Sequence, residues 1–544
     1  MNNIAYYGSH NATIAVEQDG RIITVVEVER FLGYKNAGTA QYKVIKHKNI
    51  GSIKRVIDSI LQHIKQVHGI LEYDKCFYMN TDVVMDGVMH RTHEMIPAKE
   101  YVSCNHHESH ANGAFYQSPF REALIVSFDG GGNDGKFNIY KGNRDTKEIT
   151  LLERVGNPVL TTPKTWVDFD LGFAYMSFGE VLGDITLEGI SDGNLVYPGK
   201  IMGLASYGTI KPEWVSAVMD YYKSDPQGPD YQFKLQRLSE RIDLPFSAEN
   251  RVFGANAYNL AATSQYVFEC CFYETVMKHF RAYPNHPVCI TGGCGLNILL
   301  NTSVSKYRRV FVGPVPNDCG LAVGMLLGNI KPDEPIDVTY SGIPLLDVNM
   351  LDYYDQNSSW WMDTLNIDKL VEDLKNGLIV GVARGNSEHG ARALGNRSIL
   401  CNPFGKGMKD ILNQKVKNRE WYRPFAPVVR LEDVNKYFEW DSSSQWMSFC
   451  PKVREDYRVS LGAITHVDNT ARVQTVTAEQ NPWLYELLTK FEQATGTGVL
   501  LNTSFNVNKH PILSSVKEAI DVFEKTQMDG LVIENNYIKK KYEQ

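Results

Sequence analysis

No run of apolar residues comes near the roughly eighteen that a membrane-crossing helix needs, and the N-terminus lacks a basic stretch leading into an apolar one. Neither membrane spanning nor secretion is expected. Cysteine is scarce: nine in 544 residues, at 76, 104, 270, 271, 289, 294, 319, 401 and 450, with no Cys-x-x-Cys pair. An odd count in mostly apolar surroundings excludes a disulfide framework and a zinc ribbon, and predicts reduced core thiols in the cytoplasm. Positive charge is short as well. The formal net charge is −7, so any affinity for nucleic acid would have to come from a local patch. No Gly-x-x-x-x-Gly-Lys-[Ser/Thr] phosphate loop occurs, so ATP, if it binds, binds in another way. What remains is ordinary globular material. It is 43% hydrophobic and 22% charged, ample for large cores, and its length is that of about three to four domains.

The most informative stretch is Asn105-His106-His107-Glu108-Ser109-His110-Ala111-Asn112-Gly113. If it is helical, His106 and His110 share one face and can grip one metal ion, because side chains four apart lie one turn apart. It is not the zinc-protease signature, since a single residue separates Glu108 from His110 where that motif has two. Two histidines are too few ligands. Carboxylates at the ends of two expected strands would complete the set: Asp129 after Leu124-Ile125-Val126-Ser127-Phe128, and Asp318 after Val312-Gly313-Pro314-Val315. Two His with two Asp suits Fe(II), Mn(II) or Zn(II), and the residues alone leave that choice open.

Around this stretch the chain reads as two β-meanders. Ile4 to Tyr7, Thr13 to Glu17 and Arg21 to Val28 are β-rich, with Asp19-Gly20 signalling a tight hairpin. Their first link, Gly8-Ser9-His10-Asn11-Ala12, is small and polar. The pattern recurs at Ala123 to Asp129, a Gly-rich turn from Gly130 to Gly135, and strands at Lys136 to Tyr140 and Ile149 to Val155. Two such meanders suggest duplicated lobes. Between them lie an amphipathic helix, Ser52 to His68, and a strand, Tyr73 to Tyr78; later come Gly199-Lys200-Ile201-Met202-Gly203, a helix from about Ala255 to Phe280, and a strand from Pro287 ending in Gly292-Gly293-Cys294-Gly295-Leu296-Asn297. Strand, Gly-Gly and helix in succession let a nucleotide meet backbone directly. These features resemble the superfold of actin, heat-shock chaperone ATPases and sugar kinases, in which two lobes clamp ATP. His106-x-x-x-His110, Asp129 and Asp318 sharpen the resemblance toward the TsaD family, which transfers threonylcarbamoyl to tRNA. It covers about residues 1 to 345.

From about Ile330 to Ser358 the composition turns to Pro, Asp, Asn and Ser, as at a domain junction. A strand, Leu378 to Ala383, then leads into Gly390-Ala391-Arg392-Ala393-Leu394-Gly395-Asn396-Arg397-Ser398, followed by Lys417-Asn418-Arg419-Glu420-Trp421-Tyr422-Arg423-Pro424-Phe425 and, later, by Arg472 and Leu501-Asn502-Thr503-Ser504-Phe505-Asn506. Cations and polar clusters at strand ends suit a phosphate-rich ligand. In this order the motifs resemble the O-carbamoyltransferases of nodulation-factor, cephamycin and aminoglycoside biosynthesis, and the similarity spans essentially the whole chain.

That resemblance implies an α/β protein with an actin-like, TsaD-like two-lobed domain (1–345) that transfers carbamoyl, followed by a YrdC-like α/β domain (346–544) that makes carbamoyl-adenylate from carbamoyl phosphate and ATP. It further implies that Arg392, Lys417, Arg423, Arg472, Ser504 and Asn502 hold carbamoyl phosphate and ATP, with Met447 near the adenine. In the first domain it assigns His106, His110, Asp129 and Asp318 to the metal, with Fe2+ ahead of Mn2+ or Zn2+. His10 and Lys35 would flank the transferred group, and Gly130, Gly131, Lys200, Gly203, Gly292, Gly293 and Asn297 would contact nucleotide, with Mg2+ accompanying ATP. A homodimer is compatible with it. Two positions depart from the family pattern: Asn11 stands where His is usually followed by Asp, and Ala391 where Pro usually precedes the Arg. The acceptor would be a hydroxyl of a small natural product, sugar or nucleoside. The alternative is a hydroxymethylated pyrimidine in DNA, with Lys306-Tyr307-Arg308-Arg309 and Lys46-His47-Lys48 as backbone contacts. An ATP-gated chaperone-like binding protein and a tRNA threonylcarbamoylating fusion are the rival classes.

Overall fold

The computed structural model describes residues 1–38, 50–85, 88–155, 170–187, 193–224, 231–353, 360–507 and 510–541. The chain divides into two compact units, Met1–Leu32 with Asn36–Asp337, and Gly33–Lys35 with Val338–Gln544. The boundary expected at 345/346 lies a little further along the chain.

The first unit contains the same sheet twice. In one, strands run in the order Arg21–Glu27, Thr13–Gln18, Asn2–Tyr7, Tyr73–Met79, Ala98–Ser103; in the other, Glu148–Val155, Gly135–Asn143, Glu122–Gly132, Val288–Thr291, Val310–Phe311. In both, the first two pairings are antiparallel and the last two parallel. Identical order and direction in both sheets is the duplication expected of actin-like lobes. Local chemistry explains the hairpins. Asp19 and Gly20 adopt φ of 50° and 79°, the left-handed pair that a two-residue turn needs to match strand twist, and Gln18 pairs with Arg21 across it. The helix Ile50–His68 buries Ile53, Ile57, Ile60 and Ile64 at helical spacing.

One local expectation is corrected. Gly130 to Gly135 is not a single turn: the strand Glu122–Gly132 continues through Asp129-Gly130-Gly131, with its pairing shifted between Phe128 and Gly132. Gly131 sits at φ 134°, which only glycine adopts without strain, so the strand bulges and resumes rather than ending. The turn proper is Asn133-Asp134, and Asp129 lies on the bulge.

The second unit is one mixed sheet of eight strands, in the order Trp360–Thr364, Asn536–Lys540, Gly530–Ile533, Val380–Ala383, Arg397–Cys401, Val499–Ser504, Ala426–Arg430, Gln474–Val476. Alternate residues feed two cores. Ile399, Leu501, Leu531 and Ile533 pack on one face with Val516, Ala519 and Phe523 of the helix Val516–Lys525. Leu400, Leu500 and Val532 pack on the other with the helices Ile367–Lys375 and Pro482–Thr495. Each such buried aliphatic side chain contributes about 1.5–3 kcal/mol. Among the described residues no helix is long and apolar enough to cross a membrane.

Candidate functional site

The helix His106–Gln117 begins where the sequence predicts. Its N-cap, Asn105, makes no side-chain capping bond; the open N–H groups of the first turn are met from the Asn133-Asp134 turn instead. Asn133 Oδ1 accepts from His106 N–H (2.9 Å), and the Asp134 carboxylate accepts from His107 (2.8 Å) and Glu108 (3.1 Å). A carboxylate here also suits the positive end of the helix dipole. His107, between the two candidate ligands, is buried with Nε2 2.9 Å from the Gly135 carbonyl and Nδ1 2.8 Å from Ser127 Oγ. Since a carbonyl only accepts, Nε2 carries the proton and Nδ1 accepts from the hydroxyl. Burial pushes its pKa down to about 3, and it stays a neutral brace.

His106 and His110 project from the same face, ring centroids 4.8 Å apart. His106 Nε2 lies 3.8 Å from Asp129 Oδ2 and 3.7 Å from Asp318 Oδ1; His110 Nε2 lies 3.4 Å from each. One ligand atom from each of the four residues lies within 4.8 Å of the others, and the His–Asp separations are close to those of donors around a cation with bonds of about 2.0–2.2 Å. Among the described residues both ring nitrogens of His106 and the Nε2 of His110 are buried without a hydrogen-bond partner, and each such group costs about 1–3 kcal/mol. Burial alone would lower the His110 pKa, but Asp129 and Asp318 raise it to about 9. The arrangement therefore stabilises positive charge at its centre. Asp129, for all its burial, is held well below the usual carboxylate range by the two imidazoles. Two nitrogens and two carboxylate oxygens fit a divalent transition metal.

Long-range contacts aim the carboxylates. Asp129 Oδ1 accepts from Gly130 N–H and Oδ2 from Gly293 N–H, both at 2.6 Å. Gly293, expected to meet nucleotide, thus spends its N–H on Asp129, and a Cβ on Gly292 would come within 2.1 Å of the Phe128 carbonyl. Asp318 opens the turn Asp318–Gly320 before the helix Leu321–Ile330. Its Oδ2 accepts from the Tyr7 hydroxyl at 2.5 Å and lies 3.5 Å from His10 Nδ1. Tyr7 carries no motif, and sequence reasoning missed it. The helices bearing Asp318 and the histidines touch through glycine: a Cβ at Gly324 would meet the Ser109 carbonyl at 2.0 Å.

The other expected nucleotide contacts in this unit are spread more widely. Asn297 caps the helix Ile298–Ser305 through Leu300 N–H and bonds Gln265. Lys200 donates to the Thr186 carbonyl at 3.0 Å, and Gly203 lies in the helix Tyr197–Ala205. Gly130 has open space where a Cβ would stand.

In the second unit, the expected cations do gather. The Arg392 pKa falls to about 10 through burial and then Arg423; Arg472 is lowered by burial, Arg392 and Arg423; Arg419 by burial, Arg423 and Arg472. Arg419, which the sequence analysis left unassigned, stacks on Phe425 at 4.2 Å and bonds Asn413. Glu420 is an acidic neighbour, its carboxylate 3.4 Å from Arg423. Arg472 Nε is buried with no hydrogen-bond partner among the described residues. Each guanidinium thus destabilises the charge of its neighbours. Lys417 is different. Burial lowers its pKa, with Arg419, Lys35 and Arg423 adding to the effect, yet its Nζ is 2.7–2.8 Å from Ser504 O, Asn506 O and Asn506 Oδ1. Three acceptors need three N–H donors, which only the ammonium has. Lys417 thus clamps the end of strand Val499–Ser504, and Ser504 Oγ bonds Asn506 as well.

The loop carrying Arg392 is tied down on both sides. Glu388 Oε1 accepts from the N–H of Leu394, Asn396 and Arg397, and Asn502 Nδ2 donates to Ala393 O and Gln474 Oε1. Met447 is buried against Leu394 and Ala426 at φ 57°. Lys35 falls in Gly33–Lys35, which groups with the second unit; the next residue, Asn36, accepts through its carbonyl from the N–H of Asn11, the neighbour of His10, at 3.1 Å. Of the basic stretches proposed for DNA, Arg308 spends its guanidinium on the carbonyls of Phe280, Tyr283 and His286, and Arg309 lies over the Phe120 ring. They brace a helix end. Lys46-His47-Lys48 lies outside the described residues.

The carbamoyltransferase N-terminus profile matches residues 78–327 and the carbamoyltransferase C-terminus profile residues 371–540. Nodulation protein NolNO of Sinorhizobium fredii is 31% identical, covering 98% of this chain and 79% of its own length. The 3'-hydroxymethylcephem-O-carbamoyltransferase of Streptomyces clavuligerus is 30% identical, covering 70% of this chain and 71% of its own. Among solved structures, full-length HypF in its phosphate- and nucleotide-bound form covers 60% of this chain and 46% of its own at 13% identity and a TM-score of 0.35, so the fold rests on strand order instead. The chain belongs to the O-carbamoyltransferase family.

Proposed function

We propose that this chain makes carbamoyl-adenylate from carbamoyl phosphate and ATP at its cation cluster, and passes the carbamoyl group to an acceptor hydroxyl at the His106, His110, Asp129 and Asp318 cluster. The observation that carries the reading is the gathering of Arg392, Arg419, Arg423 and Arg472 with Glu420 as their acidic neighbour. A site so charged stabilises the compact polyanion of two phosphate substrates. Water cleaves carbamoyl phosphate to carbamate and inorganic phosphate, and a carbamate oxygen then attacks the α-phosphate of ATP as pyrophosphate leaves. The guanidiniums neutralise the charge that builds on the phosphate oxygens. Carbamate is labile in water, so the step needs an enclosed site. Lys417 and Glu388 contribute by fixing the strand end and the Arg392 loop.

At the second site the acceptor oxygen attacks the carbamoyl carbon and AMP departs. A divalent metal held there, Fe2+ ahead of Mn2+ or Zn2+, would supply Lewis-acid polarisation of a phosphate or carbonyl oxygen. His10 takes the hydroxyl proton, a role supported by its Nδ1 lying 3.5 Å from Asp318 Oδ2. Asn11 does not add a carboxylate there: it stands at φ 57° with its amide 3.3 Å from His10 Nδ1. The acceptor is a small-molecule alcohol. Arg308, one of the residues suggested for a DNA backbone contact, has its guanidinium engaged with three backbone carbonyls.

The test is pyrophosphate release from ATP with carbamoyl phosphate, compared with threonine plus bicarbonate. Release with carbamoyl phosphate alone is the expected outcome. Release with threonine and bicarbonate would favour tRNA threonylcarbamoylation, and release with neither would leave an ATP-gated binding protein.

A further inference from the structure

Tyr7 is a buried tyrosine that no motif marks, yet it touches two of the four residues of the histidine–carboxylate cluster. Its hydroxyl donates to Asp318 Oδ2 at 2.5 Å, and its ring meets the His106 ring edge-on with centroids 6.4 Å apart. It is the last residue of the central strand Asn2–Tyr7, paired with Thr13 on one side and Met79 on the other. A side chain on a strand so flanked is rigidly placed. From the neighbouring strand, Thr13 Oγ1 donates to the Cys319 carbonyl at 3.0 Å, so one hairpin grips both the carboxylate of Asp318 and the backbone beside it.

The two oxygens of Asp318 therefore have separate tasks. Oδ1 faces the imidazoles, 3.7 Å from His106 Nε2 and 3.4 Å from His110 Nε2; Oδ2 is turned to Tyr7, with His10 Nδ1 at 3.5 Å. A carboxylate oxygen only accepts, so at this contact the phenol is the donor. Resting on the metal reading of the cluster, we infer that Tyr7 is a positioning residue that holds Asp318 as a one-oxygen ligand. The protein then offers an ion four atoms, leaving the rest of its coordination shell for substrate oxygen. Hydrogen bonds behind metal-binding carboxylates are commonly worth 10- to 100-fold in metal affinity.

The experiment is equilibrium binding of Mn2+ and of Zn2+ to full-length wild type, Tyr7→Phe and His106→Ala, with the thermal midpoint of each metal-free protein recorded beside it. Phenylalanine keeps the ring and removes only the donor, so the Tyr7→Phe protein folds with a midpoint close to wild type. The expected result is affinity about 10- to 100-fold weaker for Tyr7→Phe and abolished for His106→Ala. Affinity within twofold of wild type in a folded Tyr7→Phe protein would overturn the role of Tyr7 while leaving the metal site standing. Failure of wild type to bind either ion at one equivalent would overturn the metal reading, and this inference with it.

Discussion

Arg472 and Lys417 are two buried cations put to opposite uses. Lys417 spends all three N–H donors on Ser504 and Asn506, whereas Arg472 keeps a buried Nε without a partner among the described residues. We therefore propose Arg472, rather than Lys417, as the ligand-binding residue. Arg472→Ala should stop carbamoyl-phosphate-dependent pyrophosphate release, since each lost charged contact costs about 1.5–3 kcal/mol, or roughly 10- to 150-fold. Synthetic carbamoyl-adenylate should restore transfer in that variant. If rescue fails in a folded protein, Arg472 does not belong to adenylate formation. Arg392, Arg423 and Arg472 stood out in the sequence as cations beside small residues, aromatics and strand ends, and it was the family resemblance that assigned them to a phosphate ligand. The clamp role of Lys417 was not legible, since its partners lie 87 and 89 residues away.

Among elements, the helix His106–Gln117 decides the geometry of the first site. Its i, i+4 histidines were readable from spacing alone. What holds it was not. The cap comes from Asp134, 26 to 27 residues along the chain, and the Tyr7 hydroxyl that orients Asp318 comes from 311 residues away. The bulge at Asp129 was hidden too, because a run of glycines reads as a turn until the pairing is known. Two substitutions test the element. Asp134→Ala removes the carboxylate that accepts from two first-turn N–H groups, and should cost about 0.5–2 kcal/mol of stability in a denaturation curve. Gly324→Ala places a methyl 2.0 Å from the Ser109 carbonyl, so the helices must part, at about 1–3 kcal/mol, and metal binding should weaken with it. Unchanged metal binding in a destabilised Gly324→Ala protein would show that the helix contact does not set the site.

On the scale of the whole molecule, the chain is two units with a cluster in each: a histidine–carboxylate set in the first and a cation set in the second. The duplication of sheet order in the first unit was visible as two β-meanders, each with a glycine-containing polar turn, because hairpin turns and strand periodicity are local signals. The eight-stranded order of the second unit was not, since its strands pair far out of sequence, with Val380–Ala383 beside Gly530–Ile533. Activation and transfer are proposed to belong to different clusters. The most direct test follows both reactions in one variant: in folded His106→Ala, pyrophosphate release from ATP and carbamoyl phosphate is measured alongside carbamoyl transfer to an alcohol accepted by the wild type. The account predicts release near the wild-type rate with transfer abolished; loss of both activities together would contradict it.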